Sequence, residues 1–356
     1  MPTYRSPLLD RPGAAEAQGT DAAVDATGVA WHYGDPLGEQ RAAHGGLVVV
    51  DRSHRKVIRV AGPDAPEFLN NLLSQKLDDA APGFAAAALD LDIQGRILHH
   101  ADVVRTSDAF YLDLPAAQAE TFLDFLRKMV FWSQVEVTET DLAVLTLLGD
   151  AAFPAVPAEA TRDVPWDAAP RRDLLVERSS LTGSVDALES AGARLAGLMA
   201  FTAERVRALE PEKATDLDDK SIPHEVPAWI GRGGRPGAVH LEKGCYRGQE
   251  TVARVENLGR SPRVLVMLQI DGSAPEGPEP GAEITGPKGG RALGRLGTVV
   301  QDCDFGPVAL ALVRRTALQG QELRVGPVSV MVDASSLPEE ENEQAGRAAV
   351  NRLRGQ

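Results

Sequence analysis

Lys243-Gly244-Cys245-Tyr246-Arg247-Gly248-Gln249-Glu250 sets one of the chain's two cysteines between two cations and two glycines. The run Glu250–Glu256 reads as a helix that begins near Gly248. A thiol just ahead of a helix N-terminus lies near the positive end of the backbone dipole, and Lys243 and Arg247 add charge of the same sign. All three effects favour thiolate over thiol. A second reading is open on spacing alone: a small buried side chain in a tight turn, with the glycines there for geometry. The other cysteine, Cys303, sits in Gln301-Asp302-Cys303-Asp304, where acidic neighbours raise a thiol's pKa and leave it passive.

A second candidate is Glu225, in Ile222-Pro223-His224-Glu225 ahead of the apolar Val-Pro-Ala-Trp-Ile run. A carboxylate beside Trp229 and Ile230, in a partly dry pocket, can accept two parallel hydrogen bonds from a planar N–H/NH₂ edge such as a guanidinium or a pterin. The plainer alternative pairs Glu225 with a surface arginine. The glycine cluster Gly231–Gly237 lacks the Gly-Lys-Ser/Thr of a phosphate loop and reads as a mobile loop. His99 and His100 fall in a strand and point to opposite faces, so they cannot easily share a metal, and no Cys/His spacing matches a zinc site. No metal ligands are expected.

The elements that must position these groups follow from periodicity. Residues 1–30 carry few large apolar side chains and are expected to be mobile. Pro36–Ala43 reads as a helix, Val48–Val50 and Lys56–Val60 as strands, and Pro63–Pro66 as the opening of a helix whose Phe68, Leu69, Leu72 and Leu73 share one face. Ala85–Leu91, Ile97–Arg105 and Ala109–Leu114 read as strands, and Pro115–Phe131 as an amphipathic helix. Val135–Val137, Leu142–Leu148 and Leu174–Glu177 are further strands, with an Ala/Pro-rich connection over Ala151–Pro170. Helices follow at Val185–Leu195 and Phe201–Leu209. Strand pairs with intervening helices indicate an α+β chain rather than a doubly wound sheet. Evenly spaced β runs from Val264 to Asp333 indicate a small C-terminal antiparallel β-barrel. The expected domains are 31–150, 151–261 with the Lys243–Glu250 motif, and the barrel at 262–333, followed by a tail helix at 334–356.

A net charge of −14 over 356 residues excludes general nucleic-acid binding and an anionic membrane surface. Two cysteines without a CxxC suit a reducing compartment. No stretch approaches the ~20 apolar residues of a membrane helix, and no signal peptide is read at the amino terminus. The expected location is the cytoplasm.

Lys243–Glu250 is similar to the K-G-C-Y-x-G-Q-E signature of the YgfZ-type folate-binding proteins. These are relatives of the glycine-cleavage T-protein (aminomethyltransferase) and serve iron–sulfur cluster assembly or repair. Four further blocks resemble the family: Phe68–Gln75, Ala88–Asp90 with Gln94–Ile97, Asp216–Glu225, and Arg254 with Gly259–Arg263. The likeness spans about residues 31–333. It implies a three-lobed ring of two related α+β halves and a C-terminal barrel, with tetrahydrofolate near the central channel.

The resemblance makes Cys245 the functional thiol beside the folate cavity and Glu225 the residue that grips the pterin. Arg254 and Arg263 would meet the anionic tail, and Lys243, Tyr246 and Gln249 complete the expected cofactor-binding set. The expected partners are folate and iron–sulfur enzymes or assembly proteins. One departure bears on activity. Where the aminomethyltransferase carries an Ile-Asp-Asp-type pair after the glycine turn, this chain has His99-His100, with its next acid at Asp102. That favours an accessory factor over an aminomethyltransferase of the glycine-cleavage type. A folate sensor or scaffold without chemistry is the remaining alternative.

Overall fold

The computed structural model describes residues 4–273, 277–318 and 322–338. Order begins before the first strand. Residues 4–30, expected to be mobile, instead lie against the molecule: Leu8 is fully buried, Val24, Ala26 and Val29 join the largest apolar cluster, and Tyr4 Oη donates to Ser53 Oγ at 2.7 Å. A few well-placed apolar side chains and short 3-10 turns at Pro7–Asp10 and Gly19–Ala23 are enough to anchor the segment.

Helix α1 (Pro36–Ala43) starts where its sequence says it should, with Pro36 in the first turn and the Asp35 side chain accepting from Gly38 N at 3.1 Å. The chain then enters β1 (Val48–Asp51) and β2 (Lys56–Ala61), which go to different sheets. The first sheet has the order β3-β4-β5-β2-β6, with β3 (Ala85–Leu91), β4 (Ile97–Arg105), β5 (Ala109–Leu114) and β6 (Glu136–Glu139), all antiparallel. Its outer face is covered by α2 (Ala65–Leu72) and α3 (Ala116–Lys128), whose Phe68, Leu69, Phe122 and Leu126 pack on Ala88, Ala101 and Val103.

The second sheet has the order β10-β1-β7-β9-β8, using β7 (Leu142–Leu148), β8 (Ala160–Val164), β9 (Arg171–Glu177) and β10 (Arg194–Ala196). Helix α4 (Leu181–Ser190) packs on Val49, Leu145 and Leu147 on its outer side. Because β1 and β7 belong to this sheet, the strands do not divide at residue 150 as the expected domain boundary had it. The first half of the chain supplies the middle of the second sheet.

Helices α5 (Leu198–Arg207) and α6 (Lys213–Asp216) lead to α7 (Gln249–Leu258) and then to a closed antiparallel barrel of order β11-β14-β13-β12-β15-β16. Its strands are β11 (Arg263–Ile270), β12 (Glu283–Thr285), β13 (Gly294–Asp302), β14 (Gly306–Arg314), β15 (Leu323–Val325) and β16 (Val328–Val332). Alternation along β11 sets the packing: Val264, Val266 and Leu268 fill the barrel, while Leu265 and Met267 face outward into the cluster containing Phe201 and Val206 of α5. The α+β chain with a C-terminal barrel is thus observed. Of the expected tail helix, residues 334–338 hold a 3-10 turn at Ala334–Ser336, and the rest lies outside the described residues. No helix among the described residues is long and apolar enough to cross a membrane.

Candidate functional site

The inner faces of the two sheets meet partly through an apolar cluster of Val57, Val104, Tyr111, Val144 and Leu175, and partly around charge. Arg55 donates to Asp113 Oδ2 at 2.6 Å, Arg162 spans Asp113 at 2.5 Å and Asp173 at 2.6 Å, and Arg171 holds Asp173 at 2.7 Å. Asp102 accepts from Arg55 at 3.2 Å. Asp102 and Asp113 come from the first sheet, and Arg162, Arg171 and Asp173 from the second, so the network joins the two. Burial works against an ionised Asp102, but Arg162, Arg171 and Arg55 outweigh it and hold the carboxyl well below the usual range.

A cavity opens beside this network. Its enclosed volume is about 60 Å3, continuous with a wider mouth that opens to solvent. Its walls include Ala85–Ala87 of β3, His100 and Asp102 of β4, Trp166, Glu210 and Trp229. A smaller cavity of about 20 Å3 shares His100, Asp102 and Glu210 with it and adds Arg52, Phe201 and Arg205. His100 stacks at 4.6 Å on Trp229, burial lowers its pKa so that the ring is neutral, and its buried Nε2 has no hydrogen-bond partner. Such an orphan is costly unless something in the cavity meets it. Glu210 lines the same space and takes two bonds from Arg171 Nη1 at 3.1 and 3.3 Å. It follows Leu209, a non-glycine residue held at φ 55°, a strained conformation that sets where the chain leaves α5.

The residues singled out from sequence lie elsewhere. None of Lys243–Glu250 lines either cavity, and neither do Glu225, Arg254 or Arg263. Glu225 is 2% exposed, and both its oxygens are taken by Arg263, at 2.8 Å from Nε and 3.0 Å from Nη2, with Ile222 N adding a third bond at 3.3 Å. Burial raises its pKa against the pull of Arg263. Arg263 also grips Asp218, at 2.5 Å and 3.0 Å, and its hydrogen bonds hold that carboxyl down to about 2. Glu225 and Arg263, expected to meet the pterin and the anionic tail, are thus paired with each other in this structure. The two fasten the acidic loop to the first barrel strand. Arg254 is exposed on α7.

The octapeptide is likewise committed to structure. Lys243 is 5% exposed and donates to the carbonyls of Asn70 and Leu73, the latter at 2.5 Å, at the C-terminal end of α2, with Nζ 4.7 Å above the Tyr246 ring. A cation there meets the negative end of the helix, while burial pushes its pKa down to about 8. Tyr246 is buried in the main core. Gln249 Nε2 reaches back to the carbonyl of Lys243 at 3.3 Å. Arg247 pairs with buried Asp90, whose other oxygen holds His99 Nδ1 at 2.8 Å, and lies over Phe125 at 4.7 Å. Both cations expected to activate the thiol thus have fixed partners. Cys245 itself is exposed.

The strand-turn motif and the thiol motif meet through their glycines. Gly248 caps α7 at φ +83°, and a Cβ there would lie 2.6 Å from Asp92 O and 2.9 Å from Gly95 Cα. Gly95, at φ +74°, would place a Cβ 2.8 Å from Thr251 Cβ. Only backbone fits between the hairpin and the helix.

Of the cavity groups, the sequence named Trp229, His100 and Asp102 without assigning them this place, and it missed Glu210, Arg162 and Trp166. The glycine loop read as merely mobile brings Arg235 to the rim, where it pairs with exposed Asp167 at 2.5 Å. No motif spacing announces these residues, because four separate elements bring them together.

Residues 29–172 match the family model described as the GCVT N-terminal domain, and residues 263–337 the one described as the CAF17 C-terminal beta-barrel domain. The chain is 25% identical over 257 residues to the tRNA-modifying protein YgfZ of Klebsiella pneumoniae, covering 68% of this chain and 76% of that one. It is 26% identical to the mitochondrial iron-sulfur cluster assembly factor IBA57 of Mus musculus, covering 75% of this chain and 77% of that one. It is 24% identical to a putative chloroplastic transferase of Arabidopsis thaliana, of whose length it spans 61%, with 70% of this chain covered. The crystal structure of the glycine cleavage system aminomethyltransferase T from Bartonella henselae has the same fold, with a TM-score of 0.74 at 18% identity over 95% of this chain and 96% of that one.

Proposed function

The chain is a YgfZ-type protein related to the glycine-cleavage T-protein, and from that premise we propose that it binds a tetrahydrofolate in the cavity between its two sheets. There it acts as an accessory factor in iron–sulfur cluster assembly or repair, with Cys245 as its outward-facing thiol. The observation that carries the folate reading is a cavity whose walls bring together Trp166, Trp229, Glu210 and His100, the last with a buried Nε2 that has no hydrogen-bond partner. A reduced pterin offers a flat ring for Trp229 and adjacent N–H and NH₂ donors for Glu210, while neutral His100 can accept or donate at the ring edge. Arg235 at the mouth suits the anionic tail. The cofactor-binding role expected of Glu225 passes in this reading to Glu210.

Cys245 lies outside the cavity, so its contact is with a client protein or that client's cluster. One thiol cannot hold a cluster by itself. The relatives named for iron–sulfur cluster assembly and for tRNA modification support an accessory role of this kind. Aminomethyl transfer is disfavoured by His99-His100 in place of the acid pair and by the three arginines that immobilise Asp102.

Titration of tetrahydrofolate against the purified protein tests the proposal, read by tryptophan fluorescence. The wild type is expected to bind, and Glu210→Gln to bind at least about tenfold more weakly, since a bidentate charge-assisted pair is lost. Glu225→Gln should lower stability and leave affinity within about twofold. Cys245→Ser should bind folate normally yet fail to support iron–sulfur enzymes in cells lacking the protein. Absence of wild-type binding refutes the folate reading, and full support by Cys245→Ser refutes the role of the thiol.

A further inference from the structure

We propose that His44, Cys303 and Asp304 form a binding site for a borderline-soft divalent cation of the zinc class, where the end of α1 meets the turn between β13 and β14. His44 caps α1, and Cys303 and Asp304 follow the last residue of β13. The sequence separates them by 259 residues, and the fold brings them together. His44 Nδ1 is 4.0 Å from Cys303 Sγ and 3.7 Å from Asp304 Oδ2, and the three donor atoms lie within 4.8 Å of one another. Metal–ligand bonds of about 2.0–2.3 Å in a tetrahedron put donors roughly 3.3–3.8 Å apart. Small side-chain movements at a partly exposed surface close the remaining gap.

The surroundings orient the donors toward a common point. His44 Nε2 lies 2.7 Å from Glu204 Oε1, a carboxylate that is 1% exposed. That bond fixes the tautomer with the proton on Nε2 and turns the Nδ1 lone pair toward Cys303 and Asp304, the carboxylate–histidine arrangement that supports metal ligands. Gln40 connects the two arms: its Nε2 donates to Glu204 at 2.9 Å, and its Oε1 accepts from Cys303 N at 2.7 Å. Asp302 shapes the turn by accepting from Asp304 N at 2.8 Å and Phe305 N at 3.0 Å.

One cation stands in the way. Arg207 donates to Asp304 Oδ2 at 2.8 Å and lies 4.0 Å from the sulfur. It also holds both oxygens of Asp302 at 2.6 Å, so it keeps a full partner when a metal takes over Asp304. With the thiolate formed, Asp302, Asp304, Glu204 and Cys303 outnumber Arg207 and Arg41, the latter donating to Cys303 O at 3.3 Å, by two negative charges, which a dication offsets. A mixed N/S/O set selects zinc-class ions over magnesium or calcium, and three protein donors leave a fourth position for water or an outside ligand.

The test titrates the full-length protein, free of any polyhistidine tag, with Zn²⁺ and with Co²⁺ as a spectroscopic substitute. One equivalent should bind, with a sulfur-to-cobalt charge-transfer band in the near ultraviolet. Cys303→Ser should lose that band, and His44→Gln and Asp304→Asn, both at exposed or partly exposed side chains, should weaken binding at least about tenfold. Cys245→Ser, which leaves all three donors in place, should retain it. The site is refuted by a wild type that binds neither ion saturably, or by unchanged affinity in His44→Gln and Asp304→Asn. A band that survives Cys303→Ser and vanishes in Cys245→Ser also refutes it.

Discussion

Lys243 places a proton where the fold half rejects it. Its ammonium sits on two carbonyls at the end of α2, and burial lowers its pKa from 10.5 in an unperturbed lysine to about 8. Between those pH values the unfolded chain keeps a proton that the folded protein has released, so this group's contribution makes stability rise with pH across the window. Denaturant midpoints measured from pH about 7.5 to about 10.5 should therefore climb more in the wild type than in Lys243→Met, and parallel curves would refute the assignment. The residue also shows what sequence chemistry can and cannot see. Lys243, Arg247 and Glu225 are the right types for a site, and all three were legible as unusual. Their partners, helix carbonyls, Asp90 and Arg263, come from distant segments, so spacing alone could not show that their charges were already engaged. Glu210 carried the opposite problem: nothing in Ala208-Leu209-Glu210-Pro211 distinguishes it until Trp229 and His100 arrive from other elements.

The hairpin turn at Gly95 and the start of α7 behave as one unit. Gly248→Ala must hold an L-residue at φ +83° and push a methyl group to 2.6 Å from a carbonyl oxygen, so a loss of about 3 kcal/mol is expected, read from urea midpoints. Gly95→Ala should cost a similar amount, and the double variant less than the sum, because the two share one contact. Additive losses would separate the motifs. Most elements were readable from periodicity: α1, β3, β4, β5 and β7 have the expected bounds. The failures have a physical cause. β8 (Ala160–Val164) was hidden in a supposed connection because its inward residues are Ala160 and Arg162, so the alternation that marks a buried face is carried by one small side chain and one charged one. β10 was absorbed into the predicted helix Val185–Leu195, since three residues are too few to show a period of two.

At the scale of the molecule, the two sheets are joined by an ion network that lies beside an apolar cluster including Val104, Tyr111, Val144 and Leu175. Removing one member leaves buried charge without a partner, so Asp113→Ala should cost about 3–5 kcal/mol. Asp163→Ala removes an ion pair to Arg172 that is 68% exposed on the aspartate side and should change stability by less than about 1 kcal/mol. Comparable losses in the two variants would show that the network contributes no more than a surface pair. The class of fold, the barrel and its position were legible, because each depends on patterns local in sequence. The assignment of strands to sheets was not, because β1 pairs with β7 and β10 across about a hundred residues or more of chain. That pairing has a consequence for biosynthesis. As the chain leaves the ribosome, the whole first sheet can assemble once residue 139 has emerged. β1, made earlier, must wait for β7, and then for β10 at 194–196, before its sheet is complete. A nascent chain halted near residue 150 would expose a two-stranded ribbon with both edges open, the kind of surface that chaperones hold and aggregates recruit.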